Sequence, residues 1–197
     1  MMIAGESKIE LQNYLKEYFP LNTAQLEQLA ELFRMETMEK GDFYAQTGKP
    51  CHKLSFLKSG YLRIFETAEN GKEVTQWISS TGEFTTDLSS LAFGQNARRN
   101  IQAISSCTLY TIHQEAYRSL PEVLPAWPEL EKLFIAKCFI TLEDRVFGLL
   151  SKTAEERYQQ LFQFKRHLFN EVPLHYLASM IGMTPETFSR IRKNCLS

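Results

Sequence analysis

The chain has 197 residues, 44% of them hydrophobic and 23% charged, which is enough for one large domain or two modest ones with a sizeable core. The formal net charge of -1 gives no overall sign of a nucleic-acid partner, but the charge is unevenly placed. Residues 151–197 carry 7 Lys+Arg against 4 Asp+Glu, whereas residues 1–150 carry 15 against 19. A basic tail on an acidic body is typical of a protein in which only the tail meets phosphate, although an ordinary solvated surface explains it nearly as well.

The cysteines Cys51, Cys107, Cys138 and Cys195 are scattered, with no Cys-x-x-Cys and no Cys/His pair at metal-ligand spacing. No stretch has the pattern of a signal peptide, and no apolar run reaches the ~18 residues of a membrane span. We therefore expect a cytoplasmic protein with reduced thiols, no cofactor, no metal site and no membrane partner.

The N-terminal segment, residues 6–33, has the apolar spacing of two helices separated by residues 19–23. Thr23 is the expected N-cap of the second helix. These helices are predicted to pack on the rest of the chain and to carry no chemistry.

Residues 35–113 form short β-type runs that turn signals interrupt about every ten residues. Asn70-Gly71 is the strongest hairpin signal, and it joins predicted strands at 61–65 and 74–78. Further strands are predicted at 101–104 and 109–112. The pattern favours antiparallel strands in a sandwich or barrel.

Residues 122–150 have apolar side chains every three or four positions, which predicts a long amphipathic helix. Its apolar stripe must be buried, either on the β domain or against a second copy of the helix in a coiled coil. Gly148 and Ser151 mark a predicted hinge after it. Thr153 with Glu156 forms a capping-box pattern that starts the next helix.

Residues 172–193 form two short helical patterns that meet at Gly182. Glycine can adopt the positive φ of a sharp turn, while Thr184 supplies an N-cap hydroxyl and Pro185 a first-turn proline. Phe188 and Ile191 should face inward. This is the design of a helix-turn-helix, and the competing interpretation is a plain pair of packed helices with solvated charges.

If the pair reads DNA, each polar residue of the second helix has a predicted role. Arg190 and Glu186 would read base edges, and Ser189 and Thr184 would contact bases or phosphate. Pro185, Arg192 and Lys193 complete the predicted interface, the last two as anchors on the phosphate backbone.

The glycine spacing of the β region, read together with the C-terminal helices, resembles the Crp/Fnr family of transcription regulators. The resemblance rests on Lys40-Gly-Asp, Gly48, Ser59-Gly-Tyr-Leu-Arg-Ile-Phe65, Asn70-Gly-Lys-Glu73 and Gly82-Glu-Phe84. It implies an α+β protein with an N-terminal double-stranded β-helix, a jelly-roll similar to cyclic-nucleotide-binding domains, at 1–121. A dimerisation helix at 122–150 and a winged helix-turn-helix at 151–197 would follow, with any β-wing at 167–172. The implied partners are a second copy, palindromic duplex DNA and RNA polymerase.

The effector pocket departs from the cyclic-nucleotide pattern of that family. The run Thr86-Asp87-Leu88 stands where a Gly-Glu-Leu would hold the ribose, and Ala97 stands where an arginine would hold the cyclic phosphate. Arg98 and Arg99 are displaced by one and two residues, so strand alternation would return Arg99 to the pocket side. A cyclic AMP site, a site for another small ligand and an empty pocket all remain open, with cyclic AMP the least favoured.

Two other functions compete with this one. A sensor that acts through protein contact would use the terminal helices as a docking module and would lack salt-dependent DNA affinity. A jelly-roll enzyme would need clustered His and carboxylate ligands, whereas the β region holds only the isolated His52 and His113. We therefore expect a homodimeric, effector-responsive or orphan regulator with no catalytic role that does not depend on cyclic AMP.

Overall fold

The computed structural model describes residue 3 and residues 5–196. The chain divides into two compact units. The first contains the chain up to Ile64 together with Ser79–Ala136, and the second contains Phe65–Ile78 together with the chain from Lys137 onward. The domain boundaries predicted at 121 and 150 stay a prediction.

Most strands lie in the middle of the sequence, and most helices precede or follow them. The strands are β1 Arg34–Met38, β2 Phe43–Ala45, β3 Lys53–Ser59, β4 Leu62–Thr67, β5 Glu73–Ser79, β6 Phe84–Thr85, β7 Asn100–Ala103 and β8 Cys107–His113. The helices are α1 Glu6–Tyr18, α2 Thr23–Glu31, α3 Leu88–Phe93, α4 Gln114–Arg118, α5 Leu120–Val123, α6 Trp127–Ser151, α7 Ala154–Phe164, α8 Leu168–Glu171, α9 Leu174–Met180 and α10 Pro185–Leu196.

The strands form two four-stranded sheets, in the orders β1-β8-β3-β6 and β2-β7-β4-β5. β8 pairs antiparallel with both β1 and β3, so strands that are distant in sequence lie side by side, as in a jelly-roll. The predicted hairpin is present: Gly71 has φ 80° between β4 and β5. The glycines at the other predicted turns, Gly41, Gly48, Gly60 and Gly82, also have positive φ. Each turn therefore relies on a backbone conformation that side-chain-bearing residues rarely adopt.

Strand alternation separates the two faces of β3. Leu57 points into the roll and packs with Leu62, Ile101 and Leu109 in a fully buried cluster. On the other face, Phe56 meets the ring of Tyr18 from α1 at 5.5 Å between centroids. The N-terminal helices therefore cover the outside of the first sheet, as predicted for packing helices.

Two local expectations are wrong. The second helix is capped by Asn22 rather than Thr23, because the Asn22 side chain accepts from the backbone N–H of Gln25 at 3.0 Å and the Gln25 side chain reciprocates. The segment suggested for a β-wing forms α8 instead, and its Phe169 is buried. Burial of the apolar side chains of α8 favours a helix in this segment over an exposed hairpin.

The second unit has an aromatic core. The ring of Phe188 lies 5.1 Å from that of Tyr158 and 5.8 Å from that of Phe169, measured between centroids. The capping box predicted for α7 is present, since the Thr153 side chain accepts from the backbone N–H of Glu156 and the Glu156 carboxylate accepts from that of Thr153. This core fixes α7, α8 and α10 against one another.

Candidate nucleic-acid interface and effector pocket

The turn between α9 and α10 has the predicted geometry. Gly182 has φ 68°, and the backbone N–H of Thr187 donates to the Thr184 hydroxyl at 3.2 Å. Thr184 therefore caps α10, and the chain reverses over a few residues. Burial of Leu177 and Ala178 holds α9 in place beneath the turn.

α10 has one buried face and one polar face. Phe188 is fully buried and Ile191 nearly so, as predicted. The residues predicted to contact DNA lie on the rest of the helix surface: Thr184, Pro185, Glu186, Ser189, Arg190 and Lys193 are exposed, and Arg192 is half-buried. These side chains are accessible to solvent, and the DNA contacts themselves stay a prediction.

Glu186 lies at the start of α10, where acids are favoured. Its own backbone N–H and then the Thr184 hydroxyl donate hydrogen bonds that lower the pKa of the Glu186 carboxyl. The group is therefore an acceptor at neutral pH, as a contact to the amino group of cytosine requires. Arg190, one turn further along on the exposed surface, supplies donors for guanine or phosphate.

At the predicted effector site, the Asp87 carboxylate is already satisfied by the protein. It caps α3 by accepting from the Ser89 hydroxyl at 2.6 Å and the Ser90 N–H at 2.9 Å, and its other oxygen accepts from the Arg98 N–H at 2.9 Å. Burial alone would raise the pKa of Asp87, but the hydrogen bonds from Ser89, Ser90 and Arg98 outweigh it and lower the pKa. The acid that stands at the ribose position is thus part of the protein's own framework.

The other predicted pocket residues bind backbone carbonyls of the protein or are exposed. The Thr86 hydroxyl donates to the Lys53 carbonyl at 2.8 Å, Leu88 is exposed, and a guanidinium nitrogen of Arg99 donates to the Arg98 carbonyl at 3.1 Å. Arg98 is exposed in an irregular segment that precedes β7. The strand-alternation argument for Arg98 and Arg99 is therefore wrong, because the strand begins only at Asn100.

Ala97, which the resemblance to cyclic-nucleotide-binding proteins places where an arginine would hold the cyclic phosphate, is buried in the core of the roll. Its N–H donates to the Lys49 carbonyl at 2.8 Å, and its carbonyl accepts from Gly48 at 2.9 Å. The small side chain fits a closely packed position, so this site supplies a methyl group where a cyclic phosphate would need a cation.

Sequence reasoning missed a row of hydroxyls inside the roll. The Tyr44 hydroxyl lies 3.0 Å from the Ser55 hydroxyl, which lies 2.8 Å from the Thr111 hydroxyl. All three residues are buried, and burial raises the pKa of Tyr44. No local motif indicates this row, because Ser55 and Thr111 meet through the pairing of β3 with β8, and Tyr44 reaches them from β2 in the other sheet.

The isolated His113 forms an ordinary surface contact. His113 is exposed, and its Nε2 lies 2.8 Å from a carboxylate oxygen of Glu36, which also binds Lys53 at 2.8 Å. Over residue 3 and residues 5–196, no group of three or more His, Cys, Asp or Glu side chains is placed to hold a metal ion. Within the same residues, no helix is both long and apolar enough to traverse a bilayer.

Known proteins share this fold. Residues 35–122 match the family model of the cyclic nucleotide-binding domain. FixK2 from Bradyrhizobium japonicum is 17% identical with a TM-score of 0.71, over 83% of this chain and 84% of its own. The c-di-GMP responsive global regulator CLP from Xanthomonas campestris is 16% identical with a TM-score of 0.64, over 89% and 92%.

A third similar structure comes from a different kind of protein. The cAMP-bound PfPKA-R is 21% identical, with a TM-score of 0.53. The match covers 59% of this chain and 43% of the PfPKA-R chain. No curated protein sequence matches the chain. Together the comparisons show a mixed helix and sheet fold with a β-roll like that of the cyclic nucleotide-binding domain, similar to the structures of FixK2 and CLP.

Proposed function

We propose that this protein is a dimeric, DNA-binding transcription regulator of Crp/Fnr type that does not depend on cyclic AMP. The observation that carries the proposal is α10, which buries Phe188 and Ile191 and leaves Glu186, Ser189 and Arg190 on an open surface. A capped helix of this kind, held by a short preceding helix, has the form of a helix that enters the major groove. In this proposal α9, the turn at Gly182 and α10 form the helix-turn-helix.

The surface of α6 supports the dimer. Phe139, Phe147 and Leu150 are 59%, 68% and 82% exposed, and Ile140 and Val146 are also exposed. Phe139 and Val146 lie seven residues apart, as do Ile140 and Phe147, so these side chains share one face of the helix. An apolar face of this length in a protein that also presents a reading helix fits a second copy of α6, in a two-fold pair.

The pairing has a direct consequence for the DNA sequence that would be read. A two-fold dimer presents two copies of α10 to half-sites about one helical turn, ~34 Å, apart, and the site is then a palindrome. RNA polymerase would be a further partner in transcription. Catalysis plays no part in the proposal.

Two features support a response that is independent of cyclic AMP. The Asp87 carboxylate already binds Ser89, Ser90 and Arg98, and Ala97 offers no cation for a cyclic phosphate. We expect cyclic AMP at millimolar concentration to leave the melting temperature unchanged, whereas a ligand present at 100 times its Kd adds about 2.7 kcal/mol. The protein is then an orphan regulator or one that answers to another effector.

Selection from random duplexes with the purified full chain tests DNA reading. We expect a palindromic consensus. Arg190→Ala should relax the base preference at one position in each half-site at a cost of about 1–3 kcal/mol. Lys193→Ala, the matched variant on the same helix, should weaken all sequences equally and reduce the salt slope by about one. Recovery of no consensus by the folded protein would reject the proposal.

The alternative is a sensor that acts through protein contact, with the terminal helices as a docking module. It predicts weak duplex affinity without the steep loss between low and moderate salt that phosphate contacts produce. Measuring the affinity for the selected duplex across this salt range distinguishes the two functions.

A further inference from the structure

The second unit contains a cleft of about 500 Å³ that belongs to neither predicted site. Its walls come from β5, the end of α6, α7 and the end of α9. Leu149, Leu161, Phe164 and Met180 supply apolar lining. Small-molecule sites in proteins have volumes of about 300–1,000 Å³ and combine apolar walls with a few polar groups, so the cleft has the dimensions of a ligand site.

The charged lining of the cleft is mainly cationic. Arg145, Arg157 and Lys165 line it together with a single acid, Asp144. Among the described residues, no carboxylate forms an ion pair with Arg145 or Arg157. Arg145 and Arg157 therefore carry positive charge that no ion pair within the described part of the chain neutralises.

The two arginines retain donors for a further partner. One guanidinium nitrogen of Arg145 donates to the Met180 carbonyl at 2.8 Å, and the group lies 5.3 Å from the centre of the Trp77 ring. Burial lowers the pKa of Arg145, which marks the cost of holding this cation away from water. The Nε of Arg157 is buried and has no hydrogen-bond partner in the described structure. An unpaired buried donor is costly, and a bound anion would offset that cost.

The walls of the cleft also connect the β4–β5 hairpin to the helices. Lys165 Nζ lies 4.1 Å from the centre of the Trp77 ring and donates to the Ile78 carbonyl at 3.2 Å. The backbone N–H of Thr75 donates to the Ser179 hydroxyl at 2.9 Å. Arg157 Nη1 lies 3.3 Å from the point where a side chain on Gly182 would begin, so it sits directly beneath the turn between α9 and α10.

We propose that this cleft binds a small organic anion, a carboxylate or phosphate carried on an apolar body, through Arg145 and Arg157. The acid group accepts from the two guanidinium groups, and the body packs on Leu149, Leu161 and Phe164. Because Arg145 lies on α6 and Arg157 lies on α7 beneath the turn at Gly182, the bound anion holds α6, α7 and the α9–α10 turn together. This inference rests on the proposed function, and it makes the anion an effector. The anion then changes the affinity for duplex DNA by a certain factor, and duplex DNA changes the affinity for the anion by the same factor.

Calorimetric titration of the full chain tests the site with defined probes: phenyl phosphate, benzoate and the neutral benzyl alcohol. We expect saturable binding of at least one acid, and the comparison of the two acids identifies the preferred group. Arg157→Gln and Arg145→Gln should each weaken that binding about tenfold or more, the loss expected for a charged hydrogen bond. Arg166→Gln is the matched control, because Arg166 is exposed on the same unit and stacks on Phe162 at 5.1 Å, away from the cleft.

Circular dichroism of each variant establishes that it is folded. If Arg145→Gln fails to fold, Arg157→Gln alone tests the site, because the Nε of Arg157 makes no hydrogen bond that the substitution would break. Failure of both acids to bind the folded wild-type protein at millimolar concentration overturns the site. Equal binding by Arg157→Gln, or equally strong binding of benzyl alcohol, overturns it as well. If an acid binds but duplex affinity does not change, the effector role is rejected and the binding site is not. If no duplex consensus is found, the proposed function is rejected and the proposal for the cleft is not affected.

Discussion

The carboxylate of Asp87 accepts a hydrogen bond from the backbone N–H of Arg98 at 2.9 Å, across the loop that follows α3. The other carboxylate oxygen caps the helix through Ser90. One acid thus fixes both ends of the segment where a cyclic nucleotide domain would place its ligand. The carboxylate that could have bound a ribose hydroxyl instead accepts hydrogen bonds from the protein backbone.

Asp87→Asn should therefore destabilise the protein, by about 1–2 kcal/mol at pH 7, because the neutral amide keeps one acceptor oxygen for the cap of α3 but replaces the other with an NH2 group, which cannot accept from the Arg98 N–H. The pKa of Asp87 is lowered on folding, so its contribution is present above the ordinary value of 3.8 and is lost as the pH falls through the folded value. The difference between wild type and variant should accordingly vanish in acid. Urea unfolding across this pH range measures it.

The control for this change is Glu122→Gln, which removes the same charge from an exposed position on α5. It should leave the free energy of unfolding within about 0.5 kcal/mol of wild type. Equal stability of Asp87→Asn and Glu122→Gln at pH 7 would mean that the Asp87 hydrogen bonds contribute nothing net.

Gly60→Ala should cost more stability than Gly71→Ala, although both glycines have positive φ, 92° and 80°. A Cβ on Gly60 would lie 2.3 Å from the Ser106 carbonyl oxygen, whereas one on Gly71 meets nothing within 4 Å. Backbone strain predicts a loss of about 1–2 kcal/mol at Gly71, and overpacking adds roughly 1–3 kcal/mol at Gly60. Thermal unfolding of the two variants in parallel measures the difference, and equal losses would show that the close approach at Ser106 relaxes freely.

Phe188→Ala should destabilise the second unit by about 3–5 kcal/mol, because the fully buried ring packs on Tyr158 and Phe169. Hydrogen exchange resolved by segment should show lost protection in α7 and α10 and retained protection in β3 and β8. Arg190→Ala, two residues along on the exposed face, should leave this protection unchanged. Uniform loss of protection over both units would contradict the separate core described for the second unit.

Phe147→Glu with Leu150→Glu should convert the proposed dimer to a monomer, because both side chains are largely exposed in the single chain and the introduced charges would face each other across the proposed two-fold interface. Light scattering over a concentration series measures the mass. Phe93→Glu is the control, since Phe93 is 77% exposed on α3 and lies outside that face. A wild-type protein that is monomeric at all concentrations would remove α6 as a pairing surface.

Local chemistry is enough to predict much of this chain, and specific residues show why. The hairpin at Gly71, the cap at Thr184 and the capping box of Thr153 with Glu156 depend on backbone preferences and hydrogen bonds within a few residues. The burial of Phe188 and Ile191 follows from helical periodicity once one face is apolar. Where two residues compete within one turn, as Asn22 and Thr23 do for the cap of α2, local rules give the helix but not its first residue.

Tertiary structure alone decided the sites built from distant segments. Periodicity assigned faces to Arg98 and Arg99 as if they lay on a strand, but that segment is an irregular loop in which the backbone N–H of Arg98 donates to the Asp87 carboxylate. The hydroxyl row of Ser55 and Thr111 exists because β3 pairs with β8, a partner more than forty residues away. Trp77 likewise gains Arg145 and Lys165 only through packing in the second unit. Local propensity is a property of neighbouring residues, whereas these contacts depend on which strands pair and which helices pack, and folding of the whole chain determines both.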